Sequence, residues 1–238
     1  DMDKLYALAK KYNLRVVEDA AQALGSSWKG QKIGSFGDFA SFSFQANKNL
    51  TTGEGGCLII NNAEEAVLAD KYRLQGVRRW NNDGIDCDVL GGKYNMTDIA
   101  AALGLVQLKQ MGAITAKRHS LAQAYFEEFG AEFEAYTGAK LPIADFSNTN
   151  WHLFQIILPR TVTRNDFMQE MKDEHNVGTG FHYAPIHLFS MYRERGFKEG
   201  MFPVAEHIGK QTVTLPMFNT MSTSDVARAV AAVKSCLS

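Results

Sequence analysis

The chain has 238 residues, enough for one large domain or two modest ones, and its 45% hydrophobic and 21% charged residues are ordinary for a globular protein. A formal net charge of −1 gives no electrostatic reason to expect nucleic acid as a partner. The sequence has no apolar run that approaches the ~20 residues needed to span a bilayer, so we predict no membrane insertion.

The predicted elements of the first half alternate between helix and strand. A helix is predicted over 2–12, where apolar residues share one face, and a second over 63–75, with acids in its first turn and bases in its last. Strands are predicted over 14–19, 38–44 and 56–61. A helix followed by a buried strand is typical of a parallel α/β sheet.

In the middle of the chain, a polar segment is followed by an apolar one. Residues 78–95 contain several glycines and are predicted to form a long loop. Thr97 is predicted to cap a helix over 97–111 that is apolar almost all round. Such a helix should be deeply buried or lie at a subunit interface. A further helix is predicted at about 113–129.

The pattern changes again towards the C-terminus. Strands are predicted over 151–159 and 177–183, and helices over 164–175, near 203–210 and over 223–236. We therefore predict two domains: residues 1–112 form part of a large domain, and residues 113–238 form a linking helix and a smaller α+β domain.

The three cysteines, Cys57, Cys87 and Cys236, are odd in number, far apart and without a CxxC pair. This is neither a disulfide framework nor a structural zinc site, and it favours a reducing, cytoplasmic location. His182 and His187 lack partners at metal-ligand spacing, so no metal is predicted.

The segment "SFSFQANKNLTTGEGG", residues 41–56, carries the chemistry. Lys48 by itself is most simply a solvated surface charge. However, serines, threonines and glycines surround it, and such residues let amides and hydroxyls gather around an anion. A lysine amine beside an anion site is what a phosphorylated aldehyde needs to be held as a Schiff base, which points to pyridoxal 5′-phosphate (PLP).

PLP also needs a carboxylate against its pyridine nitrogen. Asp19 lies at the carboxyl end of the strand "RVVED", where ligands collect in open α/β sheets. Without the lysine, Asp19 could equally be a helix cap or a turn residue.

Several segments resemble those of the DegT/DnrJ/EryC1/StrS sugar aminotransferases. They are "VVEDAAQALG" (16–25), "GSFGDFASFSFQANKNLTTGEGG" (34–56), "GGKYNMTDIAAALG" (91–104), "TGFHYAPIHL" (179–188) and "TLPMF" (214–218). The resemblance implies an α/β, fold-type-I PLP-dependent transferase, with a mostly parallel sheet in a three-layer large domain and a smaller α+β C-terminal domain. The family carries a further segment before Asp1, so we expect the large domain to be N-terminally incomplete.

The resemblance also assigns roles by position. Lys48 matches the Schiff-base lysine and Asp19 the partner of the pyridine nitrogen. Gln22 matches a residue beside the cofactor, and Ser43 a serine that binds its phosphate. Asn95 matches an asparagine that reaches the phosphate in the neighbouring subunit of a homodimer with shared sites.

Two further residues are assigned to the substrate: His182 matches a histidine in the pocket, and Arg79 an arginine of the pocket loop. Each assignment has a structural alternative. Ser43 could fill the polar face of a strand, Asn95 could be a turn residue before the helix at 97, and His182 could be a hydrogen-bonded core histidine.

The implied reaction moves an amino group from L-glutamate to a nucleotide-linked keto sugar, in surface polysaccharide, lipopolysaccharide or related sugar biosynthesis. Three alternatives remain: an inactive fragment or non-catalytic relative, a PLP-dependent sugar dehydratase, and a Rossmann dehydrogenase. Dehydratases of the family replace the lysine, so Lys48 argues against that one. No GxGxxG opens a helix after a strand, which argues against a dehydrogenase.

Overall fold

The computed structural model describes residues 1–81 and 83–238; Asn82, within the predicted loop 78–95, lies outside the described residues. The helices are α1 (Met2–Tyr12), α2 (Ala63–Arg73), α3 (Asp98–Lys109), α4 (Met111–Phe129), α5 (Phe133–Thr137), α6 (Arg164–Asp173), α7 (Ser190–Arg193), α8 (Pro203–Gln211) and α9 (Thr223–Cys236). The strands are β1 (Val17–Asp19), β2 (Ser27–Trp28), β3 (Gln31–Lys32), β4 (Phe39–Ser43), β5 (Gly56–Ile60), β6 (Val77–Trp80), β7 (Gly84–Cys87), β8 (Phe154–Ile157) and β9 (Thr212–Leu215).

Two compact units make up the described chain. The first comprises residues 1–115 and 146–152, and the second comprises residues 116–145 and 153–238. Residues 146–152 thus join the first unit although the chain on either side of them belongs to the second. The predicted domains, 1–112 and 113–238, concern the complete fold and stay a prediction.

A three-stranded sheet in the order β1-β4-β5 organises the first unit. β1 runs parallel to β4, and β5 runs antiparallel to it. One face of the sheet is buried through Glu18, Ala40 and Phe42. Tyr6 of α1 donates to the Glu18 carboxylate at 2.5 Å. Burial is the main cause that raises the pKa of Tyr6, and this hydrogen bond is the second.

Side-chain caps define helix ends where the sequence predicts them. Asp1 accepts from the backbone N–H of Lys4 at 3.1 Å, which starts α1. Thr97 accepts from the N–H of Ala100 at 3.3 Å, which starts α3. Both predicted helix starts are therefore confirmed to within one residue.

The prediction of a continuous loop over 78–95 is wrong in its first half. β6 and β7 pair antiparallel there, with Val77 opposite Cys87 and Trp80 opposite Gly84. The side chains of Arg78, Arg79 and Trp80 are exposed. Because neither face of β6 is buried, the sequence lacks the alternation of apolar and polar residues by which strands are recognised.

The apolar helix α3 is not deeply buried within this chain. None of its twelve residues, all of them described, is buried. Ile99 is 80% exposed, and Leu103, Leu105, Val106 and Leu108 are each more than half exposed. Deep burial, one of the two expectations for this helix, is therefore wrong, and the subunit interface stays a prediction.

Aromatic side chains form the core of the second unit. Tyr125 and Phe129 of α4 pack on Phe154 of β8, with ring centroids 4.5 and 6.2 Å from the Phe154 ring. All three are at most 2% exposed. The Tyr125 hydroxyl donates to the carbonyl of Pro216 at 2.6 Å, and this gives the buried hydroxyl its hydrogen-bond partner.

The predicted strand over 177–183 is wrong. Only an isolated bridge between Gly180 and Thr214 forms there, and β8 pairs instead with β9, which the sequence did not predict. All four residues of β9 are buried. A strand that is buried on both faces does not alternate, so its pattern does not distinguish it from other apolar runs.

Among the described residues, no single helix is long and apolar enough to cross a membrane. α3 and α4 meet that test only when they are taken together as a bent pair.

Candidate active site

Asp19 and Ser43 lie on one face of the sheet, at the ends of neighbouring strands. Asp19 is in register with Ser41 of the parallel strand β4, so these two side chains share a face, and Ser43 follows on that face two residues later. The carboxyl ends of parallel strands meet at one edge. The Asp19 carboxylate is exposed there, and its Oδ1 accepts from the N–H of Ala21 at 3.2 Å.

Lys48 lies on a loop whose two ends are joined. The Phe44 N–H donates to the Gly55 carbonyl at 2.8 Å, and the Thr52 N–H donates to the Phe44 carbonyl at 2.9 Å. Within the loop, the Lys48 N–H donates to the carbonyl of Gln45 at 2.9 Å. The lysine is therefore carried by a closed turn directly after β4.

Glycines permit the backbone path by which this loop returns to the sheet. Gly53 and Gly55 have φ values of 82° and 146°, which L side chains rarely adopt. At Gly56, a Cβ atom would lie 2.5 Å from the carbonyl oxygen of Phe42. The glycines of the "TTGEGG" segment thus have a structural role in closing the turn that carries Lys48.

Three of the predicted site residues line one small pocket. Lys48 is half-buried there and lies with Gln22, from the turn after β1, and with Ser43, from the end of β4. The Ser43 Oγ accepts from the N–H of Gln45 at 3.2 Å. The structure therefore brings together a lysine, a serine and a glutamine that are separated in the sequence, beside the edge that carries Asp19.

Sequence reasoning missed three residues of the same pocket: Asn49, Asn150 and His152. Each is less than 10% exposed. For Asn150 and His152, the signal in the sequence is the run "SNTNWH", which does not distinguish buried polar residues from a solvated loop, and Asn49 lies within the Lys48 segment itself.

Asn95 lines a different pocket of the first unit, together with Gly55, Gly56, Tyr72 and Tyr94. Its Oδ1 atom is buried, and no hydrogen-bond partner for it is found among the described residues. A buried amide oxygen without a partner is costly, so this position is suited to contact with a further group. Its predicted reach into a neighbouring subunit stays a prediction.

The two predicted substrate residues lie elsewhere. Arg79 is exposed on β6, opposite Ile85 of β7. His182 belongs to the second unit, where its Nδ1 lies 2.7 Å from the Thr214 hydroxyl and its carbonyl accepts from Gln155 at 2.5 Å. The roles of Arg79 and His182 stay predictions.

Comparison with known sequences identifies relatives along almost the whole chain. The model of the DegT/DnrJ/EryC1/StrS aminotransferase family matches residues 1–234. Uncharacterized protein MJ1066 of Methanocaldococcus jannaschii is 39% identical over 254 aligned positions, with 100% of this chain covered. Spore coat polysaccharide biosynthesis protein SpsC of Bacillus subtilis is 36% identical over 250 positions, with 98% covered. The chain spans 64% and 62% of the lengths of these two relatives.

Solved structures show the same fold. PseC of Helicobacter pylori, an aminotransferase involved in the biosynthesis of pseudoaminic acid, superposes with a TM-score of 0.91 over 100% of this chain and 63% of PseC, at 22% identity. Spr1654 of Streptococcus pneumoniae, provisionally named a sugar aminotransferase, superposes in its PLP form with a TM-score of 0.85 at 27% identity, over 100% of this chain and 66% of Spr1654. The predicted fold class, an α/β PLP-dependent transferase of fold type I, is confirmed, and the cofactor that these matches indicate is PLP.

Proposed function

Because this chain belongs to the DegT/DnrJ/EryC1/StrS aminotransferase family, we propose that its protein is an aminotransferase that moves an amino group from L-glutamate to a nucleotide-linked keto sugar. The observation that carries the proposal is the pocket in which Lys48 lies with Gln22 and Ser43, beside the strand end that carries Asp19.

The proposed reaction balances without an outside oxidant. The Cα of glutamate loses its amino group, its hydrogen and two electrons and becomes the keto carbon of 2-oxoglutarate. The keto carbon of the sugar gains the amino nitrogen, a hydrogen and two electrons. The carbonyl oxygen leaves the sugar as water, and a water supplies the oxygen of the keto acid.

The residues present fit PLP. Lys48 offers a primary amine for the aldehyde carbon, and Asp19 offers a carboxylate for the pyridine nitrogen. The hydroxyl of Ser43 lies at the strand end nearest the Lys48 loop and suits the phosphate. When it is bound, PLP supplies an electron sink for the carbon from which a proton is removed.

The chain's own groups then have distinct tasks. The Lys48 amine holds the cofactor at rest. With PLP and the donor bound, the same amine would serve as the base that takes the proton from the donor's Cα. The half-buried position of Lys48 on a closed turn limits the distance over which the amine moves. Asp19, which is exposed at the edge of the sheet, would offer its carboxylate as the hydrogen-bond acceptor for the N–H of the pyridine ring.

The substrate class is supported by the relatives' names. SpsC, which is 36% identical to this chain, is named for spore coat polysaccharide biosynthesis, and Spr1654, which is 27% identical, is provisionally named a sugar aminotransferase. We therefore propose a role in surface polysaccharide, lipopolysaccharide or related sugar biosynthesis, and Arg79 and His182 each stay candidate substrate residues of their own unit.

The proposal includes a homodimer with shared sites, located in the cytoplasm. The exposed apolar side chains of α3 and the unpartnered Oδ1 of Asn95 support the dimer. The three cysteines, all free, support a reducing compartment.

The test is to identify the lysine that holds the cofactor. The protein incubated with PLP should develop a visible absorbance band that L-glutamate bleaches, and borohydride should attach the cofactor irreversibly to the peptide containing Lys48. Lys48→Ala should abolish both the absorbance band and the borohydride labelling. Lys10→Ala, a change at an exposed lysine of α1, should alter neither readout.

Labelling of another lysine, or full activity in Lys48→Ala, would exclude this function. If the band forms, a panel of UDP- and dTDP-linked keto sugars then identifies the acceptor by the return of absorbance. Release of water from the sugar without incorporation of nitrogen would favour the dehydratase alternative.

A further inference from the structure

A buried hydrogen-bonded network connects the turn after β1 with the loop that carries Lys48. Its members are the side chains of Asn49, Asn150 and His152, which we call the Asn–His network, and they are 6%, 3% and 9% exposed. Asn49 directly follows Lys48. The other two come from residues 146–152, the short segment that joins the first unit.

Asn150 holds the turn that follows Asp19. Its Nδ2 donates to the carbonyl of Gln22 at 2.8 Å and to that of Leu24 at 2.9 Å. Its own backbone N–H donates to the Ser26 hydroxyl at 3.0 Å. One buried side chain therefore fixes the backbone at Gln22, three residues after Asp19.

Asn49 connects this point to the lysine loop. Its Nδ2 donates to the carbonyl of Asn150 at 3.4 Å, and its Oδ1 lies 3.0 Å from Nδ1 of His152. The His152 N–H donates to Oδ1 of Asn150 at 3.0 Å. The residue after Lys48 and the residue three after Asp19 are thus joined through two side chains.

The pattern of acceptors determines the protonation of the histidine ring. A carbonyl accepts only, so the amide nitrogen of Asn49 must face Asn150 and its oxygen must face His152. An oxygen opposite Nδ1 requires a hydrogen on Nδ1. His152 is therefore the Nδ1–H tautomer when it is neutral, with its ring orientation set by Asn49.

We propose that Asn49, Asn150 and His152 are positioning residues that set the distance and angle between the Lys48 amine and the Asp19 carboxylate. The inference rests on the proposed function, because a cofactor that spans the two groups needs an amine at one end and a carboxylate at the other. Errors of about 1 Å in such a site cost up to ~10²-fold in rate. A network with its polar atoms paired inside the fold holds that spacing better than two independent loops would.

The test compares two substitutions of His152. His152→Asn retains an N–H at the place of Nδ1, because its amide occupies the positions of Nδ1 and Cδ2. His152→Leu has a similar volume and no donor. Tyr6→Phe is the matched control, since it removes a hydrogen bond from the opposite, buried face of the same sheet.

With glutamate as donor, His152→Leu should lower kcat about ten- to a hundredfold with little change in KM, and His152→Asn should recover most of it. The circular dichroism of the visible cofactor band should weaken in His152→Leu and return in His152→Asn, because the band's sign and intensity report the angle at which the cofactor is held. Tyr6→Phe should change thermal stability alone.

A second readout does not depend on the cofactor. In protein labelled with ¹⁵N-histidine, one imidazole should show a protonated Nδ1 at neutral pH, and this signal should be missing in His152→Asn. An Nε2–H tautomer at His152 would contradict the network itself.

The outcomes separate the two proposals. Suppose that the wild-type protein takes up PLP and that His152→Leu lowers only the melting temperature. The network would then have a structural role, and the positioning proposal alone would be overturned. A wild-type protein that never takes up PLP would overturn the proposed function, and the positioning role with it.

Discussion

At the scale of single residues, the proposed site depends on an amine and a carboxylate. Lys48 and Asp19 are 29 positions apart in the sequence, yet the parallel pairing of β1 with β4 brings their segments to one edge of the sheet. The local pattern made both residues candidates, because a lysine among small residues and an acid at the carboxyl end of an apolar segment are both unusual.

We predict that Asp19→Asn separates catalysis from binding. The change keeps the size of the side chain and removes the carboxylate that we propose to face the pyridine nitrogen. Turnover with glutamate should fall by about 10²-fold or more, while PLP should still bind. Stopped-flow absorbance of the glutamate half-reaction measures this step.

Asp38→Asn is the matched control, because Asp38 is an exposed aspartate that comes directly before β4. It should leave turnover unchanged. Near-normal turnover in Asp19→Asn would exclude the proposed role of this carboxylate.

At the scale of elements, polar side chains organise chain segments as well as helix ends. Glu206, in the first turns of α8, accepts from the N–H of Gly200 at 2.9 Å and from that of Phe202 at 3.2 Å. It also lies 2.9 Å from Nε2 of His187. A single carboxylate thus holds the turn before α8 and the 3₁₀ segment Ile186–Leu188 together.

This arrangement predicts a pH-dependent contribution to stability. The backbone donor at Gly200, and next the hydrogen bond from His187, lower the pKa of Glu206 from its ordinary value of 4.5. A carboxyl group whose pKa is lower in the folded state adds stability above its unfolded pKa, and this stability is lost as the pH falls through the folded value.

Glu206→Gln should therefore lower the melting temperature at neutral pH, and its difference from wild type should shrink as the pH falls below about 4.5. Glu194→Gln, a change at another exposed glutamate of the second unit, should show neither effect. Melting curves of the variant and the wild type, measured across the pH range, test this prediction. A difference that stays constant from pH 7 to pH 3 would show that the charge of Glu206 is irrelevant to stability.

At the scale of the whole molecule, α3 presents more apolar surface than a monomer ordinarily exposes. Its leucines, valine and isoleucine lie on several sides of the helix. Several large apolar side chains exposed on one helix favour an interaction site, and we predict that a two-fold partner covers them. Asn95 lies just before this helix, so an interface through α3 would bring Asn95 close to the partner.

We predict that subunits inactive for different reasons restore one another. If Asn95 serves the neighbouring site, a homodimer of Asn95→Ala and a homodimer of Lys48→Ala should each have low activity. A heterodimer of the two holds one site with both lesions and one site with neither. Up to half of the wild-type activity per heterodimer should return after subunit exchange.

Subunit exchange itself is verified with differently tagged chains. A well-mixed pair that stays inactive would show that Asn95 serves its own chain's site, and an active monomer in sedimentation would exclude the shared site. Exchange of Lys10→Ala with Lys48→Ala provides the control for mixing, because a heterodimer with only one damaged site is expected there too.

The sequence by itself determined the features that depend on neighbours along the chain. Helix starts at Asp1 and Thr97 follow from a capping side chain and the apolar positions after it. The candidate site residues followed from motifs within single segments, and the family resemblance extended them. These signals are local, so they can be recognised without knowledge of the fold.

Only the tertiary structure decided which distant segments meet. The pairing of β8 with β9, the exposed hairpin of β6 and β7, and the contact between Asn49 and His152 across 103 positions leave no periodic trace in the sequence. An exposed strand does not alternate, a strand buried on both faces does not alternate either, and a buried asparagine has the same letter as a solvated one. Burial and pairing arise when the whole chain closes around its cores, and that is why the residues that hold Lys48 in place could be found only in the folded molecule.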